Sequence, residues 1–221
     1  MASGRRLLIP LGGPGQWDAR VVGGKAAKLA ELSLAGFDVP QGFCLTTRAY
    51  EAFVNDAGIA AAISMELGRK SMDDMRWEEI WDTALRIRAR FLAQPLSGSL
   101  RETVAAGLRG FDAGASLAVR SSAVGEDSAG RSFAGLHESI IGVRGRQAVE
   151  DAIRLVWASL WSDAALLYRK ELGLDPAHSR MAVLVQEMVD ADPSGVAFAR
   201  DPRDTRKEHA VIEAVPGACS L

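Results

Sequence analysis

Hydrophobic positions along the chain follow two different rhythms, one before about residue 110 and one after it. In "GKAAKLAELSLA", residues 24–35, Ala26, Leu29, Ala30 and Leu32 fall on one helical face, Gly36 supplies a C-terminal stop and Pro40 follows. An apolar run at 42–46 predicts a short strand, leading through Thr46 and Thr47, both suited to N-capping, into a helix over 48–57. Residues 74–93 repeat Trp77, Ile80, Trp81, Ala84, Leu85, Arg88, Phe91 and Leu92 at helical spacing, which predicts a long amphipathic helix with its tryptophans in the core. A weaker helix is expected over 98–107. After "RGFDAGAS", residues 109–116, the rhythm shortens: 116–120, 138–143, 181–189, 194–200 and 210–215 read as strands separated by turn residues. Helices over 147–161, carrying Val149, Ile153, Val156 and Leu160, and over 163–172 interrupt them. The pattern is α+β, a helical part over 1–110 followed by a strand-rich part over 111–221, with no internal repeat.

Composition narrows this picture. A chain of 221 residues that is 48% hydrophobic and 24% charged folds rather than staying disordered, as one large domain or two small ones. Its net charge of -2 provides no global positive field for nucleic acid or an anionic membrane, so any anion site must be built locally. Only five of the 26 basic residues are lysines, so a lysine in a special place stands out. Cys44 and Cys219 share no motif spacing with each other or with His137, His178 and His209, and no zinc motif results. Cys44, inside the apolar run "GFCLTT", reads as a buried thiol. The apolar run of "MASGRRLLIPL" is too short for a signal sequence or a membrane span, and the chain reads as cytoplasmic.

Three stretches carry candidate chemistry. In "VVGGKAAKL", Gly23 and Gly24 precede a helix whose first N–H groups and dipole suit phosphate, and Lys25 adds a mobile cation. It is not a Walker A loop, because Ala19 and Ala26 stand where that motif needs Gly and Ser or Thr. Taken alone the signal is weak, and a glycine-started helix with a solvated lysine is the plainer reading. In "VRSSAVGEDSAGRSFAG", residues 119–135, Arg120 ends an apolar strand where its guanidinium can present a fork to phosphate oxygens. Four serines and three glycines follow within 121–135, so the backbone can close over an anion, although Glu126 and Asp127 would repel one unless a metal or Arg131 intervenes. An exposed hairpin loop is the alternative. In "VLVQEMVDADPSGVAF", Gln186 and the main chain near Met188 and Val189 can meet the edge of a planar base, or simply form a β-hairpin.

In this order the three stretches resemble the nucleotide-binding domain of the phosphoenolpyruvate synthase and pyruvate phosphate dikinase family, an ATP-grasp-like fold. "GGKAAKLAELSLAGFDVPQGFCLTT" resembles its N-terminal signature, "AVRSSAVGEDSAGRSFAGLHESIIGV" its central glycine-rich loop, and "VWASLWSDAALLYRKELGL…VLVQEMVDADPSGVAFARDP" its adenine-side region. The "VRSSA…ED…SFAG" form is more similar to phosphoenolpyruvate synthases and rifampin phosphotransferases than to the pyruvate phosphate dikinases. The resemblance implies that Lys25 and Arg120 meet the phosphates of ATP, that Gly135 is the loop glycine, and that Ser139, where the family usually has threonine, keeps a hydroxyl for phosphate. It places Gln186, Met188 and Val189 on the adenine side. It further implies a dikinase reaction with Mg2+, in which the β-phosphoryl passes to a histidine on a separate carrier domain and then to pyruvate, while the γ-phosphate goes to water.

The family continues past "IEAV" with "GLGE" and further magnesium-binding groups, whereas here "VIEAVPGACSL" ends at Leu221. None of the three histidines lies in the family's phosphohistidine motif. The expectation is therefore an ATP-grasp-like domain truncated at its C-terminal side, inactive in isolation, with the magnesium ligands unassigned. It would need a phosphohistidine carrier domain and a pyruvate/phosphoenolpyruvate domain as partners. Two alternatives stand beside it: a rifampin phosphotransferase-type ATP-binding domain, and a non-catalytic nucleotide-binding or regulatory fragment.

Overall fold

The strand-forming runs at 117–123 and 181–187 become the centre of a five-stranded antiparallel sheet. The computed structural model describes residues 6–12, 17–124, 136–201, 203–204, 206 and 209–217. The chain forms two units, Met1–Met188 and Val189–Leu221. Strands of the first unit are β1 (Leu8–Pro10), β2 (Gly42–Leu45), β3 (Leu117–Ala123), β4 (Ser139–Val143) and β5 (Met181–Glu187), in the sheet order β1-β2-β5-β3-β4. Its helices are α1 (Ala19–Leu34), α2 (Thr47–Asp56), α3 (Ile59–Leu67), α4 (Trp77–Ala93), α5 (Gly98–Leu108), α6 (Arg146–Ser159) and α7 (Asp163–Glu171).

β3 and β5 are flanked by strands on both sides and covered on both faces, which is why both read as nearly continuous apolar runs. On one face Phe43, Leu45, Leu117, Val119, Val183 and Val185 join the main core, closed by α2 and α6 with α4 packed outside α6. Phe53 stacks on Trp157 at 5.2 Å between ring centroids, and Tyr50 meets the same indole edge-on at 6.0 Å. Both buried indoles have acceptors: Trp157 Nε1 donates to the Met181 carbonyl at 3.2 Å and Trp161 Nε1 to Tyr50 Oη at 3.0 Å. On the other face α1 lays Val22, Ala26 and Ala27 over Ile9, Cys44, Ala182 and Leu184. Cys44 is fully buried there, and burial pushes its thiol pKa well up, so it is an inert core thiol as expected. The mixed helix and sheet class anticipated from the two rhythms is the one observed.

Several boundaries differ from the expectation. The helix expected to begin at residue 24 starts at Ala19 and is broken at Gly23, and α3 and β1 were not anticipated. A division at residue 110 would cut the sheet, because β1 and β2 precede it and β3 to β5 follow. The tryptophans of α4 were expected in the core, yet Trp77 is 58% and Trp81 48% exposed. The buried seam is Ile80, Thr83, Ala84, Ile87 and Phe91. This helix carries two apolar stripes about a quarter-turn apart, and periodicity alone cannot say which one packs.

The second unit contains β6 (Pro193–Phe198) and β7 (Val211–Pro216), an antiparallel ribbon. Gly195 lies opposite Ala214 where a Cβ would overlap the Glu213 carbonyl. Among the described residues no helix is long and apolar enough to cross a membrane.

The α4 assignment is checked by two truncations. Phe91→Ala should lower unfolding free energy by about 3–5 kcal/mol, and Trp81→Ala should change it by less than about 0.5 kcal/mol. Urea denaturation of both variants in parallel measures this, and the opposite ranking would mean that the wrong stripe has been taken as core.

Candidate functional site

Residues opposite each other in an antiparallel ladder share a face of the sheet. Arg120 lies opposite Leu184 of β5 and opposite Ser139 of β4; Ser122 lies opposite Ala182, and Ala118 opposite Gln186. These positions belong to the face that α1 covers. Ser139 reaches it only because β4 is irregular. Strict alternation would put Ser139 and Val143 on one face, but a register shift falls between Leu117 and Val119, and Gly142 takes φ 73° in that part of β4. The extra residue turns Val143 opposite Leu117, into the main core, while Ser139 stays opposite Arg120. Arg120 is half-buried and, among the described residues, forms no ion pair with a carboxylate.

The segment carrying Lys25 is fixed against this same face. Asp18 caps the first turn of α1, accepting from the Arg20 N–H at 2.9 Å. The helix then breaks at Gly23, with φ 75° and ψ 168°, and restarts. A Cβ on Gly23 would overlap the main-chain carbonyl and Oγ of Ser122, so only glycine permits this approach of helix to strand. Ser122, 0% exposed, donates through Oγ to the Val22 carbonyl at 2.8 Å and accepts from the Ala26 N–H at 3.1 Å. Lys25 is half-buried within this junction.

A cleft of about 330 Å³ opens beside the C-terminal end of β3, lined by Ala123, Val124, His137, Arg169 and Arg180 among others. His137 sits just before β4 because its neighbour Glu138 is tied on two sides. The Glu138 N–H donates to Ser159 Oγ at 3.1 Å, and its carboxylate meets Arg88 Nη2 at 3.3 Å. Burial, reinforced by the positive charges of Arg169 and Lys25, holds the His137 imidazole down at about 4. Arg169 is 4% exposed, and its Nη1 donates to the Leu160 carbonyl at 2.7 Å and the Ala165 carbonyl at 3.2 Å. Its burial lowers its pKa to about 10, which leaves it a cation at neutral pH. The charge effects put Lys25, His137 and Arg169 in one electrostatic neighbourhood.

At the other end of the β3–β5 ladder, Gln186 is buried and its Nε2 donates to the Pro40 carbonyl at 3.2 Å. The Glu187 N–H donates to Gln41 and the Met188 N–H to Ser116, both at 2.9 Å. These bonds hold local structure, and the Gln186 amide carries a second N–H and its Oε1 besides the proton given to Pro40. Val189 opens the second unit, and Gly135 lies outside the described residues. Among the described residues no three His, Cys, Asp or Glu side chains converge on a point, and the Mg2+ implied by the resemblance is assigned to no residue here. Ser122, His137 and Arg169 were missed by sequence reasoning. The signal for Ser122 was available: two serines inside the otherwise apolar strand "LAVRSSA".

The fold thus brings a strand arginine opposite a hydroxyl, a half-buried lysine at a helix restart and a cleft lined by Arg169 and Arg180 into one unit of mixed α and β construction. The family model for the pyruvate phosphate dikinase AMP/ATP-binding domain matches residues 19–219, and the chain belongs to that family. It is 38% identical over 218 residues to a phosphoenolpyruvate synthase of Aeropyrum pernix, covering 96% of this chain and 26% of the relative. It is 38% identical over 198 residues to a rifampicin phosphotransferase of Streptomyces sviceus, covering 88% of this chain and 22% of the relative. With the prodigiosin synthesizing transferase PigC of Serratia marcescens it shares 35% identity over 211 residues, 96% of this chain and 22% of that protein. The chain thus spans about a quarter of the length of the curated relatives it matches. The resemblance drawn from the three stretches holds for the family and for its ATP-binding character.

The depressed His137 makes a pH prediction. The unfolded chain protonates this ring near its ordinary value of 6.5 and the folded chain only near 4, so below 6.5 the unfolded state binds more protons and stability falls with falling pH. Denaturant unfolding of the parent and His137→Gln between pH 7 and 4 should show the parent losing more stability across that window. Parallel curves would remove the histidine from its cationic surroundings.

Proposed function

We propose that the chain is the ATP-binding part of a phosphoenolpyruvate synthase-like phosphotransferase with an ATP-grasp-like fold. In this reading Lys25, Arg120 and the Ser139 hydroxyl take the phosphates of ATP, and Gly135 belongs to the loop that closes over them. The stretch around Gln186, Met188 and Val189 forms the adenine side. The β-phosphoryl passes to a histidine on a carrier domain and then to pyruvate, and the γ-phosphate passes to water. The protein's part in such a transfer is positioning and charge neutralisation: Lys25 and Arg120 offset phosphate charge from two directions, while the sheet and helix hold them still. The observation that carries this reading is the register that sets Arg120 opposite Ser139 on the sheet face where the Lys25 segment packs. A drug hydroxyl as the final acceptor is the second reading, favoured by the equal 38% identity to the Streptomyces sviceus rifampicin phosphotransferase.

Calorimetric titration with ATP and Mg2+ tests the site. Lys25→Ala and Arg120→Ala each remove a charge-assisted hydrogen bond worth about 1.5–3 kcal/mol, an expected weakening on the order of ten- to a hundredfold. Unchanged affinity in both variants would remove both residues from the phosphate site.

A further inference from the structure

A helix that begins leaves its first N–H groups without intrahelical acceptors, and a side chain at the N-cap position ordinarily accepts from the second or third of them. After its break at Gly23, α1 begins again, and the residue in the capping position has no side chain to offer. The missing acceptor comes from β3. Ser122 Oγ accepts from Ala26, the third residue after Gly23, at 3.1 Å, while its own proton goes to the Val22 carbonyl at 2.8 Å. One hydroxyl 100 positions away in the chain therefore bridges the last carbonyl before the break and the new first turn after it. Its bonds, to Val22 and to Ala26, bracket Lys25, and Arg120 stands two residues earlier on the same face of the same strand. No other side chain among the described residues makes both bonds; Cys44 Sγ only approaches the Val22 carbonyl at 3.6 Å.

We propose that Ser122 is a positioning residue that caps the restarted helix from the neighbouring strand and so fixes Lys25 relative to Arg120 for a triphosphate. This rests on Lys25 and Arg120 being phosphate-binding groups. A buried serine that merely satisfied its own hydrogen bonds would affect stability. One that sets the spacing of two cations affects ligands in proportion to how many phosphates those cations must span. ATP needs both cations at once, whereas AMP, with one phosphate, does not.

The test is calorimetry on the full chain with ATP plus Mg2+ and with AMP, for Ser122→Ala, Lys25→Ala and the double variant, at a temperature where circular dichroism shows each folded. Ser122→Ala is expected to weaken ATP at least tenfold and AMP less than twofold, and to add less than twofold to the loss already caused by Lys25→Ala. Amide exchange at Ala26 should quicken in Ser122→Ala, reporting loss of the cap. If Ser122→Ala does not fold, Ser122→Cys, similar in shape with a weaker acceptor and donor, carries the same comparison. Equal losses for ATP and AMP, or losses that add in the double variant, would reduce Ser122 to a structural serine while leaving Lys25 in place. A silent Lys25→Ala would instead take down the phosphate-site reading, and the positioning role with it.

Discussion

The antiparallel ladder between β3 and β5 is the constraint on which the rest of the first unit depends. Its seven paired positions, from Leu117 opposite Glu187 to Ala123 opposite Met181, decide which side chains meet the large aromatic core and which meet α1. Slipping this pairing by one residue would exchange the faces. If β3 slipped, Arg120 and Ser122 would be driven into the Phe53–Trp157 layer and Val119 turned toward α1, while β5 kept its faces. The cost of burying a guanidinium without a partner makes that slip prohibitive, so Arg120 itself helps to select the register. Val119, Val183 and Val185, all fully buried, act on the same choice from the other face.

Against that ladder, two glycines do what side-chain patterning cannot. Gly23 lets α1 approach until Ser122 touches two of its main-chain groups, and Gly142 accompanies the irregularity that keeps Ser139 facing Arg120 while Val143 enters the core. Each adopts a positive φ that a larger residue rarely takes. The site is assembled where regular structure is interrupted, but the interruptions lie within rigid elements and so add little freedom. Glu138, tied to Ser159 and Arg88, extends this rigidity to the entrance of β4.

Much of this was legible in the chain. The apolar runs located β3 and β5, and the stretches around Lys25 and Arg120 announced themselves because glycine, lysine and arginine stood out against their apolar neighbours. What was not legible depended on partners remote in sequence. Ser122 stands out as a polar residue within a strand, but nothing local shows that α1 will be laid over it, and nothing local marks Gly142 as the place where β4 changes face. In α4 both apolar stripes satisfy a helical period, and only the shape of the neighbouring Trp157 and Phe53 layer selects Phe91 over Trp81. In α3 the sequence "IAAAISMEL" is apolar nearly all round, so it shows no polar face by which periodicity could have found it. The Gln186 amide was read as a group for a ligand; one of its two donors goes to the Pro40 carbonyl, a partner 146 positions away that nothing local announces.

Charge is organised locally, as a net of -2 requires. Arg169 is the most buried cation among the described residues. Its guanidinium binds the Leu160 carbonyl at the C-terminal end of α6, the negative end of that helix, which offsets part of the cost of burying it. The remaining field falls on His137, and with that of Lys25 it opposes a third positive charge in the cleft. The imidazole therefore stays neutral near pH 7 and can contribute hydrogen bonding there without contributing charge. Lysine and arginine keep their charge throughout the physiological range, whereas histidine ordinarily changes its own within it. Burial first, and the two fixed cations second, hold the His137 ring neutral, so this ring does not switch the field of the cleft across the physiological range.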